Sequence, residues 1–261
     1  GGTGNNSGNK IDTVSPSLTT YPATTLSLGS FHSGAIAKDG SLYMWGSNWG
    51  YLGDGSGKDR SPSPKKIMDN VVQVSFGAYS SGAVTKDGSL YVWGETMNYV
   101  SHESGNSIYS PHKVMDNVIF ASIGLECSGA ITKDGSLYMW GDNDFGQLGI
   151  GDNIEYSEVP VKVMEHVKFV SVGDSYTAAI TDNGTLYMWG SNFYGELGDG
   201  TNNDSYTPKK IMDNVKAVSI GINNHSGAIT EDGSLYMWGR NDLGQLGDGT
   251  TIDRNRPAKI M

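Results

Sequence analysis

Cys127 is the single cysteine in 261 residues, so no disulfide can form within the chain and its redox compartment stays open. Apolar runs are short, and none approaches the roughly 18 residues that a membrane-spanning helix needs. Basic side chains are the scarcer sign, 18 against 28 acidic, and the net charge of −10 opposes a phosphate backbone. Nucleic acid is therefore not an expected partner. Arginine is confined to Arg60, Arg240, Arg254 and Arg256, too few and too scattered for the arginine cluster of sialidase-like chemistry.

Glycine is abundant instead, at 37 residues, and it recurs at fixed places. The stretch Ser226 to Gly239, SGAITEDGSLYMWG, has near-copies that start at Ser33, Ser81, Ser128 and Thr177. The tryptophans of these copies, Trp45, Trp93, Trp140, Trp189 and Trp238, stand 48, 47, 49 and 49 residues apart. A period of that length belongs to repeat architectures. Residues 1–22 carry no repeat signal, and the first ten, GGTGNNSGNK, have the composition of a flexible tether. The expected division is a linker over 1–22 and a repeat domain over 23–261. A chain that opens on Gly1 with such a tether suggests the processed part of an exported protein, with a lipid anchor upstream, displayed at a cell surface. A boundary inside a larger chain, and a cytoplasmic location, fit the same composition.

Each copy offers four short apolar segments. The first ends in glycine, as in VVQVSFG to Gly77, and the second and third flank an Asp-Gly or Asn-Gly turn suited to a hairpin. A long polar loop and a proline lead to the fourth, as in PKKIM to Met68. Only two residues, Asp-Asn or Glu-His, then separate it from the next first segment. Read as another hairpin, that link predicts sheets in the order four, one, two, three. The expected fold is all-β: a propeller of five four-stranded antiparallel blades, closed by pairing of Pro257–Met261 with Leu26–Gly29. Apolar third segments fit blades buried on both faces.

The sequence Asp-Gly-Ser-Leu-Tyr-Met-Trp-Gly followed by Asn-Asp-Leu-Gly-Gln-Leu-Gly-Asp-Gly, together with the preceding Ser-Gly-Ala-Ile, resembles the repeat of the regulator of chromosome condensation family. The resemblance spans about Thr24 to Met261 and extends to bacterial-type members and the propeller β-lactamase inhibitory proteins. It implies a binding scaffold without cofactor, since members include an exchange factor that docks on a small GTPase and chromatin, and a secreted enzyme inhibitor. Members usually have seven blades, so five copies depart from the pattern. A histidine often precedes the serine of segment two. His32 and His225 hold that place, whereas Ser80, Cys127 and Tyr176 occupy it elsewhere.

Residues shared by all copies are explained by folding, so specific chemistry is sought where copies differ. The glycine-rich loops from Ser47, Asp142, Ser191 and Arg240 lack the following helix of a phosphate cradle. Asp142 and Asp144 do not continue into calcium-loop spacing, and no metal site is expected. The second long loop alone loses its Gly-x-Leu-Gly element. With its neighbour it supplies Trp49, Tyr51, Tyr99, His102 and Tyr109, an aromatic set expected to dock a protein partner. The alternative is a lyase or glycosidase in the central mouth, lined by Phe31, His32, Tyr79, Glu126, Cys127, Tyr176, Asn224 and His225. Cys127 with His102 or His225 is a separate candidate pair of nucleophile and base, set against the reading of Cys127 as a small, half-buried residue at a repeated position. A third reading, inhibition of a secreted enzyme, is a special case of the scaffold. The expected function is a non-enzymatic protein-binding module.

Overall fold

The computed structural model describes residues 23–261 apart from 58, 95–107, 125, 153 and 222. The expected linker, 1–22, therefore lies outside the described residues. All the regular elements among the described residues are strands, and they form five sheets of four. Blade one holds β1 (Ala23–Leu28), β2 (His32–Ala37), β3 (Leu42–Ser47) and β4 (Arg60–Met68). Blade two holds β5 (Val71–Phe76), β6 (Ser80–Thr85), β7 (Leu90–Gly94) and β8 (Ile108–Met115). Blade three holds β9 (Val118–Ile123), β10 (Cys127–Thr132), β11 (Leu137–Asp142) and β12 (Tyr156–Met164). Blade four holds β13 (Val167–Val172), β14 (Tyr176–Thr181), β15 (Leu186–Gly190) and β16 (Ser205–Met212). Blade five holds β17 (Val215–Ile220), β18 (His225–Thr230), β19 (Leu235–Gly239) and β20 (Arg254–Lys259).

The Asp-Gly hairpins form as expected, through three-residue loops. Ala37 N–H donates to Ser41 O at 2.8 Å and Gly40 N–H to Ala37 O at 2.9 Å, with Gly40 at φ 85°. Asp39 Oδ1 accepts the Ser41 N–H at 2.9 Å, which explains the Asp-Gly-Ser order. A type I turn followed by a left-handed glycine matches the twist of paired strands.

The strand order corrects one expectation. Strands run one, two, three, four within every blade, the long loop stays inside its blade, and the two-residue link steps to the next. The link has only one left-handed residue: Asn70, Asn117, His166 and Asn214 have φ near 60°, while the residue before each does not. Hairpins of two residues need positive φ at both central positions or at the first. Positive φ at the second alone splays the flanking strands, and the chain passes between sheets. Val71 N–H then bonds Gly40 O in the blade behind, and Lys86 N–H bonds Asn70 O from the blade ahead.

The proposed closure between the chain's ends fails for the same reason. β20 pairs with β19, continued by Ile260 N–H to Leu235 O at 2.8 Å and Leu235 N–H to Met261 O at 3.0 Å. Among the described residues β1 pairs with β2 alone.

The apolar core is divided among seams between blades. Four buried clusters lie between blades one and two, two and three, three and four, and four and five. Trp93, Trp140, Trp189 and Trp238 are fully buried there. A buried indole hides ~150–250 Å², worth up to roughly 4–6 kcal/mol by area. At three seams the loop of one blade also accepts two hydrogen bonds from the next. Trp93 Nε1–H and Ser81 Oγ–H donate to Tyr51 O at 2.9 and 2.8 Å. Trp189 and Thr177 donate likewise to Gln147 O, and Trp238 and Ser226 to Glu196 O. The glycine after each latch sits on the indole: a Cβ on Gly149 would come 2.8 Å from Trp189 Nε1.

Candidate functional site

Strand directions divide the molecule into two ends. Links between first and second strands, and the long loops between third and fourth, share one end, called here the upper face; Ser47 N–H bonds Phe31 O at 2.8 Å across it. The lower end carries the hairpins and two-residue links, where Lys66, Lys113, Lys162 and Lys210 each pair with the acid three residues on.

His32, Cys127, Tyr176 and His225, which open four of the second strands, were expected in the mouth, but the first three bury their side chains in seams. His32 is buried between Phe76 and Tyr51, ring centroids 5.1 and 5.7 Å away, with Nε2 2.9 Å from Ser81 Oγ. Burial lowers its pKa to about 4, so it is a neutral plug across the first seam. Tyr176 donates to Gly221 O and His225 O of the next blade, each at 3.0 Å. Cys127 is buried and its thiol is pushed well up, by burial first and then by Asp142, Glu126 and Asp174. A thiol so held is a poor nucleophile. His102 lies outside the described residues.

Phe31, Tyr79, Glu126 and Asn224 do stand at the mouth, on the short links. Phe31 is exposed and stacks on Tyr79, centroids 6.1 Å apart and planes 18° apart. Tyr79 in turn meets Tyr51 at 5.7 Å. An aromatic chain thus runs from solvent through Phe31, Tyr79 and Tyr51 to His32. Blades three and four supply charge instead. Burial raises the pKa of Glu126, and the charges of Asp142, Asp174 and Asp144 add to it; burial also raises Asp142 and Asp174. None of these four acids forms an ion pair among the described residues. The axial cavity beside them, about 300 Å³, is bordered by Leu28, Phe76, Ile123, Val172 and Ile220, one from each blade, and by Asp174. No group of three or more His, Cys, Asp or Glu suited to a metal ion occurs among the described residues.

The expected aromatic docking set is only partly gathered. Tyr51 turns inward, Trp49 is 62% exposed, and Tyr109 is exposed on β8, where its carbonyl accepts Gly55 N–H at 2.8 Å. Tyr99 and His102 lie outside the described residues. The comparison between copies missed a more regular feature. Every described long loop lifts an exposed apolar side chain, namely Trp49, Phe145, Phe193 or Leu243, one or two residues before the Gly-x-Leu-Gly element. An apolar residue recurring at one place in otherwise polar loops was the available signal.

Among the described residues, twenty strands in five sequential antiparallel sheets, with an indole latch at three of the four seams, define a repeat β-propeller architecture. The profile of the RCC1-like domain matches residues 2–261, and the chain belongs to that family. A search of curated proteins gave no significant match. Among solved structures, human WBSCR16 is similar at 26% identity and TM-score 0.77, over 92% of this chain and 67% of that one. Prp20p from Saccharomyces cerevisiae, described with its binding properties to Gsp1p and histones, is 21% identical with TM-score 0.81, over 92% of this chain and 63% of that one. Yeast RCC1 (Prp20) bound to Kap60 gives 21% and 0.82, over 92% of this chain and 61% of that one. The chain thus spans less than two thirds of the length of the Prp20 chains.

Proposed function

We propose that this chain is a non-enzymatic protein-binding module whose upper face receives a basic, partly apolar segment of a partner protein. The observation that carries the reading is the pairing, on one face, of the exposed Phe31–Tyr79 stack with Glu126, Asp144 and Asp174, acids that form no ion pair among the described residues, and with Asp142, which is buried and held by Gln147. Aromatic side chains anchor interfaces at low entropic cost, and the acids of blades three and four draw the opposite charge. Protein binding is also what the Prp20p comparison describes for that propeller. Catalysis is the weaker reading, because Cys127 is buried with a raised thiol pKa and the mouth offers no nucleophile hydrogen-bonded to a base among the described residues. Site of action outside the cell belongs to the same proposal, supported by the tether-like composition of residues 1–10, and inhibition of a secreted enzyme is one form that such binding would take.

Affinity capture from the source cells, followed by elution with a salt gradient, tests the proposal. The bound protein should carry a basic patch and elute earlier from Glu126→Gln/Asp174→Asn than from the unaltered chain. Equal elution from both would refute the charge argument. Protease treatment of intact cells tests surface display, which requires loss of the protein without lysis.

A further inference from the structure

Three of the chain's four arginines gather at the outer side of the seam between blades four and five, around a surface pocket of about 460 Å³. That volume falls within the roughly 300–1,000 Å³ of small-ligand sites. Two of the three are committed: Arg254 pairs with Asp248 at 2.7 Å, and Arg240 pairs with Asp242 at 2.6 Å while lying over the Tyr194 ring, 5.0 Å from its centroid. Arg256 is the third, and among the described residues its guanidinium has neither an ion pair nor a hydrogen bond. It lies against the long loop of blade four, where a Cβ on Gly200 would strike it.

The pocket exists because the fifth copy departs from the others. Strand pairing puts Tyr109, Tyr206 and Asn255 at one position of the fourth strand, and their carbonyls accept the N–H of Gly55, Gly151 and Gly200 in the loop of the preceding blade, at 2.8, 2.9 and 2.7 Å. A tyrosine there lays its ring along that loop: a Cβ on Gly57 would come 2.6 Å from Tyr109 Cε1, and the Tyr206 hydroxyl donates to Asp144 O at 3.0 Å. Asn255 is too short to do the same. Phe193 O, the counterpart of Asp144 O, accepts Asn202 Nδ2–H at 2.9 Å instead, and Asn202 Oδ1 accepts Asn255 Nδ2–H at 3.1 Å. The space that a tyrosine would fill is left open between Tyr194, Asn202, Asn255 and Arg256.

The groups left over in the pocket set its chemistry. Arg256 offers N–H donors, and Asn255 Oδ1 and Asp253 Oδ2 are acceptors without a donor among the described residues, the other Asp253 oxygen holding Asn241 N–H at 2.7 Å. Phosphate needs donors alone and an ammonium group acceptors alone, so neither suits this set. A sugar ring bearing a carboxylate suits all of it, because its hydroxyls donate where its carboxylate only accepts. We propose that the pocket binds an acidic saccharide, with the carboxylate paired to Arg256, hydroxyls donating to Asn255 and Asp253, and the C–H face of the ring against Tyr194. The pocket shares no residue with the axial cavity, so this site stands independently of protein binding at the mouth.

The test probes a printed array of galacturonate, glucuronate and mannuronate oligomers with the whole chain, cellotriose serving as the neutral control. The strongest binder and inorganic phosphate are then titrated by calorimetry in about 0.15 M salt, which screens the net charge of −10 beyond about 8 Å. At least one uronate oligomer should bind, with cellotriose and phosphate weaker by about tenfold or more, and Arg256→Ala should raise its Kd by about tenfold or more. Asn255→Tyr restores the residue that the repeat uses at Tyr109 and Tyr206. It should abolish binding while the circular dichroism spectrum and melting temperature stay as in the unaltered chain, which separates loss of the site from loss of the fold. Absence of binding to every uronate, binding of cellotriose or phosphate as tight as that of the uronate, or a Kd that Arg256→Ala or Asn255→Tyr leaves unchanged overturns the proposal.

Discussion

The indole N–H of Trp189 donates to the carbonyl oxygen of Gln147 at 2.9 Å, from one blade to the loop of the blade before it. Trp93 and Trp238 repeat the arrangement, but Trp140 is equally buried and its Nε1 has no partner among the described residues. The loop that precedes Trp140 in the ring is the one that lost its Gly-x-Leu-Gly element. Trp189→Phe should therefore cost about 1–2 kcal/mol more than Trp140→Phe, because it deprives a carbonyl of its donor while the apolar loss is alike. Urea unfolding of the two variants checks the difference, and equal losses would remove the latch from the account.

Glu196 stands where Gln147 and Gln245 stand in other blades, and its buried carboxyl accepts Tyr194 N–H at 2.7 Å. Burial raises its pKa, against the pull of those hydrogen bonds. Glu196→Gln should stabilise the protein by about 0.5–1.5 kcal/mol at pH 7, since the amide keeps the acceptor without a buried charge. A raised carboxyl pKa penalises the folded state above that pKa, so the advantage should shrink as pH falls and the wild-type acid takes up its proton. Denaturation at pH 7 and pH 4.5 measures both.

His32 predicts the opposite slope. Its pKa falls from 6.5 to about 4 on folding, so the unfolded chain binds the proton first. Stability from the neutral ring is complete above pH 6.5 and is lost as pH falls towards 4, a change of roughly 3 kcal/mol. The difference in unfolding free energy between wild type and His32→Asn should narrow by an amount of that order across the interval. A constant difference would show that the ring is not held neutral.

Much of the fold was legible because the repeat imposes it. The Trp spacing gave five blades, and Asp-Gly-Ser gave hairpins whose Asp39 and Gly40 behave as their chemistry requires. Strand order was not legible, because Asp69-Asn70 reads as a two-residue hairpin until its single left-handed residue is known. Three of the eight residues expected in the mouth lie elsewhere for a related reason. His32, Cys127 and Tyr176 begin strands at the mouth, but their side chains follow the pleat into seams, and only Phe31, Tyr79, Glu126 and Asn224 on the links before them remain outside. Phe145, Phe193 and Leu243 went unnoticed because the loops that carry them were read for their glycines.

Binding through the upper face is most directly tested by titration calorimetry of the captured partner against two double variants. Phe31→Ala/Tyr79→Ala removes the exposed stack, whereas Lys66→Ala/Lys113→Ala alters only the lower end, where both lysines are paired with exposed acids. The account predicts at least a tenfold rise in Kd, on the order of 1.4 kcal/mol, for the first variant and no measurable change for the second. An unchanged Kd for Phe31→Ala/Tyr79→Ala, or a loss confined to Lys66→Ala/Lys113→Ala, would contradict it.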